Sequence, residues 1–179
     1  MSKMSTFTIK KLPLIAAIVS LAALALPAQA HELRGLGNNY FIGVGSHVEP
    51  AIAGQPNGID FFAWRNSVPG DFDTAEYLDK AAGDKVEITA LPIKLATENF
   101  NAPIIQFFPL LTGLNQIDIE GSPGYTKTFN YPTAGAYGYI VVGEIKKQGH
   151  STKYFVEKFV CGAGSQDTTF STSFDCVTN

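Results

Sequence analysis

Methionine is missing from the chain after position 4. Thioether sites for Cu(I) are therefore excluded from everything downstream. Cysteine is nearly as scarce: Cys161 and Cys176 are the whole supply, with no Cys-x-x-Cys and no histidine close to either in sequence. That opposes a redox-active or metal-binding cysteine pair. Positive charge is short as well. Thirteen Lys and Arg stand against sixteen Asp and Glu, and Lys3, Lys10 and Lys11 all fall in the first thirty residues. An acidic balance opposes nucleic acid as the main partner, because binding phosphates requires a basic face. There is no Gly-x-Ser-x-Gly elbow and no His-Glu-x-x-His. No internal repeat, low-complexity tract or long linker divides the chain, and no helical periodicity is convincing past residue 30.

What is present begins with an export signal. Lys3, Lys10 and Lys11 form a basic opening, Leu12 to Leu26 is almost wholly Ala, Leu, Ile and Val, and Ala28-Gln29-Ala30 supplies the small-x-small pattern read by a signal peptidase. The apolar run of fifteen residues is short of the ~20 needed to cross a bilayer as a helix. The expectation is a cleavable signal over 1–30 and a mature domain over 31–179, with no membrane span once the signal is gone. No lipobox cysteine offers a lipid anchor. The mature chain keeps all sixteen acidic residues and ten basic ones, a net charge of −6 with His neutral. Its size suits one domain with its own core. Export, to the periplasm or beyond, makes a Cys161–Cys176 disulfide the expected state of the two cysteines. In the chain-entropy model a bridge of this span contributes ~3 kcal/mol.

Short alternating segments follow. His31 to Asn38 reads as a polar lead-in. Asn39 to Val48 alternates Tyr40, Ile42, Val44 and Val48 against Phe41, Gly43, Gly45 and His47, the period of a half-buried strand, with the glycines leaving room for something large. Ile59 to Arg65 is apolar on both faces and so central. Glu76 to Lys80 reads as a short edge strand or helical turn. Val86, Ile88 and Ala90 face inward until Pro92 interrupts. Ile104 to Leu111, Asn115 to Ile119, Tyr125 to Tyr131, Ala136 to Ile145 and Ser151 to Val160 complete the series. Seven to nine strands with turn signals roughly every ten residues predict an all-β, immunoglobulin-like antiparallel sandwich. Pro132 to Tyr137 resembles the tyrosine corner of such folds, in which the hydroxyl bonds back to nearby backbone.

Three histidines could carry chemistry. Cleavage would give His31 two donors at once, its α-amine and its imidazole, and both suit Cu(II). His47 lies on a strand with Glu49 two residues on and so on the same face. Either could complete a site if the lead-in folds back alongside that strand. His150, beside Gly149, reads as a turn residue. The acid pairs Asp71/Asp73 and Asp118/Glu120 read as solvated loop residues. An oxidative copper enzyme of polysaccharides would need a second histidine and a flat aromatic face, for which Phe62, Trp64 and Tyr77 are the candidates. Nothing else in the sequence suggests catalysis.

His31-Glu32-Leu33-Arg34, Tyr40-Phe41-Ile42-Gly43-Val44-Gly45 and the run from Glu49 to Gly58, extended by Pro132 to Ile145, resemble a group of small exported bacterial proteins, mostly uncharacterised and held to be immunoglobulin-like. More loosely, the architecture is similar to the CopC-type periplasmic copper carriers, which also begin with a ligating histidine after signal cleavage. That resemblance implies a role for His31 alone. The missing methionines, and the lack of a second histidine near a Gly-rich late loop, depart from the carriers' pattern. The sequence thus points to a non-catalytic binding or accessory protein whose partner is a metal ion, Cu(II) through His31, His47 and Glu49, or another envelope protein.

Overall fold

The computed structural model describes residues 31–66, 74–119, 121–163 and 173–179; residues 1–30, expected to be a signal, and Asp71, Asp73 and Glu120 lie outside them. The described chain is all-β, in two antiparallel sheets. The first contains β1 (His31–Gly37), β2 (Tyr40–Ser46), β3 (Gly58–Arg65), β4 (Glu76–Tyr77), β8 (Asn115–Ile119) and β9 (Ser122–Thr128). Its order is β1-β2-β3-β9-β8, with β4 paired to the end of β3. The second contains β5 (Lys85–Leu95), β6 (Ile104–Phe107), β7 (Leu111–Thr112), β10 (Tyr137–Lys146) and β11 (Lys153–Val160), ordered β11-β10-β5-β6 with β7 also on β5.

The count exceeds the expected seven to nine for two reasons. β4 and β7 are two-residue strands, and the polar lead-in is itself a strand. Asn38 and Asn39 both take positive φ, 54° and 62°. That is a two-residue type I′ turn, which asparagine tolerates and which matches strand twist. It folds β1 back so that His31 pairs with Gly45 and Gly37 with Tyr40.

The core lies between the sheets. The inward rows of β2 and β3 (Tyr40, Ile42 and Val44; Ile59, Phe61 and Ala63) meet those of β5, β10 and β11, and all are buried in one cluster. Full burial of each large side chain contributes about 1.5–3 kcal/mol. β3 is buried on both faces, as its sequence predicts. Its outward Phe62 and Trp64 join Leu33, Phe41 and Ile119 in a second apolar cluster. There Leu33 lies over Gly43, where an added Cβ would come within 2.9 Å of Leu33 Cδ2.

Three local expectations change. Pro92 does not end its strand; β5 runs through it, and Pro92 O accepts from Phe108 N at 3.0 Å where pairing passes from β7 to β6. The apolar run from Ile104 to Leu111 is not one strand but two, β6 and β7, and it divides between core and surface: Leu111 is buried and Ile104 and Phe108 pack against the core, while Ile105, Phe107 and Leu110 are each 61% exposed. The Tyr137 hydroxyl meets the Thr133 side-chain oxygen at 3.3 Å, not backbone, so the tyrosine-corner bond is absent. The Cys161–Cys176 disulfide is formed. No helix among the described residues is long and apolar enough to cross a membrane.

Candidate functional site

The strand registers place His31, Gly45 and Asp60 in one row across β1, β2 and β3, on the face turned away from the core. Gly45 has no side chain, so groups from the two flanking strands meet over it. Asp60 is 2% exposed. Its Oδ1 accepts a hydrogen bond from His47 Nδ1 at 2.7 Å, and its Oδ2 lies 4.0 Å from His31 Nε2. The His31 ring also sets its edge against Phe62, centroids 4.9 Å apart. One buried carboxylate thus lies within reach of two histidines, His31 from across Gly45 and His47 from just past the end of β2.

The contact orients His47. In the neutral ring, an Nδ1–H bonded to Asp60 puts the lone pair on Nε2, on a ring that is partly exposed. A carboxylate fixing the tautomer in this way is the usual support of a metal-ligating histidine. As they stand, no three His, Cys, Asp or Glu side chains among the described residues are gathered as they would be around a metal ion. Further donors at this face would have to come from the α-amine that cleavage would free on His31.

Glu49 goes elsewhere. β2 ends at Ser46, and with it the alternation that predicts a face shared with His47. Glu49 Oε2 instead accepts from the backbone N of Asp175 at 3.4 Å, in the C-terminal segment. Burial pushes its carboxyl up to about 7, and the Asp175 and Asp60 charges act in the same direction. The folded chain therefore holds a proton between about pH 4.5 and 7 that the unfolded chain has released. This stabilisation is complete below 4.5 and is lost as pH rises through about 7. Thermal unfolding should therefore show a higher midpoint at pH 5 than at pH 7.5, and Glu49→Gln should remove part of the difference. An unchanged pH profile in the variant would count against the buried carboxyl.

Behind the site runs a buried hydroxyl chain. Ser46 Oγ lies 2.8 Å from Tyr131 Oη, and Tyr131 Oη lies 2.6 Å from Tyr139 Oη. Burial pushes the Tyr131 phenol up to about 12 and Tyr139 well above its ordinary value. Both are neutral donors and acceptors that brace the end of β2.

The remaining candidates do not join this row. His150 follows β10, and its Nε2 accepts from Arg65 Nη1 at 3.0 Å. Arg65 is five residues along β3 from Asp60, about 16 Å away. Trp64 and Phe62 are buried in the outer cluster, with Phe41 stacked on Trp64, so they present no open aromatic face. Asp118 accepts from Gly121 N at 2.8 Å and closes a turn. Asp60 went unnoticed in the sequence, although a signal was there: it is the one acid in a strand otherwise apolar on both faces. No protein-family model, no curated protein and no solved structure matches the chain.

Proposed function

We propose that the mature chain is an exported, non-catalytic binding protein of the cell envelope with an immunoglobulin-like sandwich, and that it takes up Cu(II) at its N-terminus. The observation that carries this reading is that the Asp60 carboxylate meets both His47, by a hydrogen bond, and His31, from across Gly45. The α-amine and imidazole of His31 would chelate the ion, His47 Nε2 would add a nitrogen, and Asp60 would hold His47 in the required tautomer. All are hard or borderline donors suited to Cu(II). The formed disulfide supports an oxidising, exported setting.

Calorimetric titration with Cu(II) tests the proposal on correctly processed protein beginning at His31, against a version with one extra N-terminal residue. Tight one-to-one binding is expected in the first and much weaker binding in the second. Asp60→Asn should weaken binding by about 10–100-fold. Equal binding, or none, in the first two proteins would sink the reading.

A second reading, an interaction module without metal, draws on the exposed Ile105, Phe107 and Leu110 around β6 and β7. It would gain if processed protein bound no metal.

A further inference from the structure

Among the described residues β11 is the last strand of its sheet, and the two halves of its outer edge are treated differently. Toward its end, Val160 N donates to Glu32 Oε2 at 2.9 Å and Lys158 O accepts from Arg34 Nη2 at 3.3 Å. Side chains of β1 thus cover that half. The pairing of β11 with β10 is continuous from Lys153 to Val160 with no bulge. The parity set by Lys158 and Val160 therefore extends back: the backbone groups of Tyr154 and Val156 also point away from β10. Among the described residues no strand pairs with them. Their side chains stand on the sheet's outer face, Tyr154 72% and Val156 67% exposed, beside Val142 at 46%. An uncovered edge flanked by exposed apolar side chains is a template for another strand.

The edge sequence says which strand fits. In Lys153-Tyr154-Phe155-Val156-Glu157, antiparallel pairing with a second copy about a two-fold axis at Phe155 sets Tyr154 opposite Val156 of the other copy. These residues have the outward backbone parity, so they exchange main-chain hydrogen bonds. Lys153 then falls opposite Glu157 of the other copy, at both ends, in the close non-hydrogen-bonded positions. Shifting the axis by one residue toward either end sets Lys153 against Phe155 or Phe159 and loses both charge pairs. We propose that the protein forms an isologous dimer by antiparallel pairing of β11 with β11 of a second copy, centred on Phe155, joining the two five-stranded sheets into one.

Sedimentation equilibrium of processed, disulfide-bonded protein in the presence of a chelator tests this. A reversible monomer–dimer equilibrium is expected. Val156→Lys alters an exposed position, so at concentrations where the parent is monomeric it should leave thermal unfolding unchanged, while raising the dimer dissociation constant at least about tenfold. Lys153→Glu and Glu157→Lys should each weaken the dimer, and the double variant, which reinstates both charge pairs, should recover it. Because Glu157 also lies 4.0 Å from Arg34 Nε, thermal unfolding of each charge variant shows whether its fold is intact. A chain that stays monomeric to about millimolar concentration would overturn the proposal. So would a Val156→Lys protein that dimerises like the parent, or a double variant no better than the singles.

Discussion

Glu32→Ala should cost the protein about 3–5 kcal/mol of stability, a large share of what a domain of this size possesses. Glu32 is fully buried, and its carboxylate does two jobs. Oε1 receives Arg34 Nη2, and Oε2 receives the backbone N–H of Val160 at 2.9 Å. Arg34 lies over the rings of Phe100 and Phe159 and donates to Lys158 O. Removing the carboxylate would leave the buried guanidinium with Glu157, 4.0 Å from its Nε, in place of a directly bonded counter-charge, and leave the Val160 N–H without its acceptor. The penalty is the cost of a poorly compensated buried charge, which exceeds the net value of the intact pair. Glu32→Gln keeps an acceptor for Val160 and should fall between parent and alanine variant. Urea denaturation measures all three, and an alanine variant within 1 kcal/mol of the parent would remove Glu32 from this role. The pH dependence has a definite sign as well. Burial outweighs the attraction of Arg34 and pushes the Glu32 carboxyl up to about 7. Its protonation therefore adds to stability below pH 4.5, and the addition is lost as pH rises toward 7. Glu32→Ala should flatten the profile over that interval.

This joint also shows where sequence reading stops. The strands were legible wherever apolar residues alternate in the ordinary sense, inward on β2 and β10 or on both faces of β3. β1 inverts the rule. Its inward residues begin with Glu32 and Arg34, and its outward Leu33 belongs to a second cluster, so it reads as a polar lead-in. What makes Glu32 an inward residue is a partner 128 positions away, and no local pattern carries that. The run from Ile104 misleads in another way: Leu111 enters the core while Ile105, Phe107 and Leu110 decorate an edge, a division that apolarity alone does not mark. Within the candidate site, the chemistry of His31 and His47 could be read from residue type and spacing. Asp60 needed the register that sets it across Gly45. The face of Glu49 depended on where β2 stops, a point that alternation alone does not mark.

Replacing Cys161 and Cys176 together with serine should lower stability by ~3 kcal/mol, the chain-entropy contribution of a bridge spanning 15 residues. The loss should be largest, and first felt, in the C-terminal segment. That segment has other attachments: Gly135 and Val177 exchange both backbone hydrogen bonds, Thr178 N donates to Ala51 O at 2.9 Å, and Ala53 N donates to Thr178 O at 2.8 Å. Phe174 is buried against Tyr139. These bonds do not depend on the bridge, whose contribution in the chain-entropy model is to restrict the unfolded chain. The serine variant should therefore still fold. Amide exchange at Val177 and Thr178 should accelerate by roughly a hundredfold, the factor that ~3 kcal/mol represents, while Val141 and Phe159 in the core follow global unfolding. Because the Asp175 charge helps raise the Glu49 carboxyl, against the lowering effect of the hydrogen bond from Asp175 N, a released segment that lets water reach that carboxyl should return it toward the ordinary range. The bridge-free protein should then lose the part of its pH dependence that Glu49→Gln also removes, and the two changes combined should be no more than either alone. Unchanged exchange at Thr178, or additive pH effects, would separate the disulfide from the carboxyl and refute the coupling.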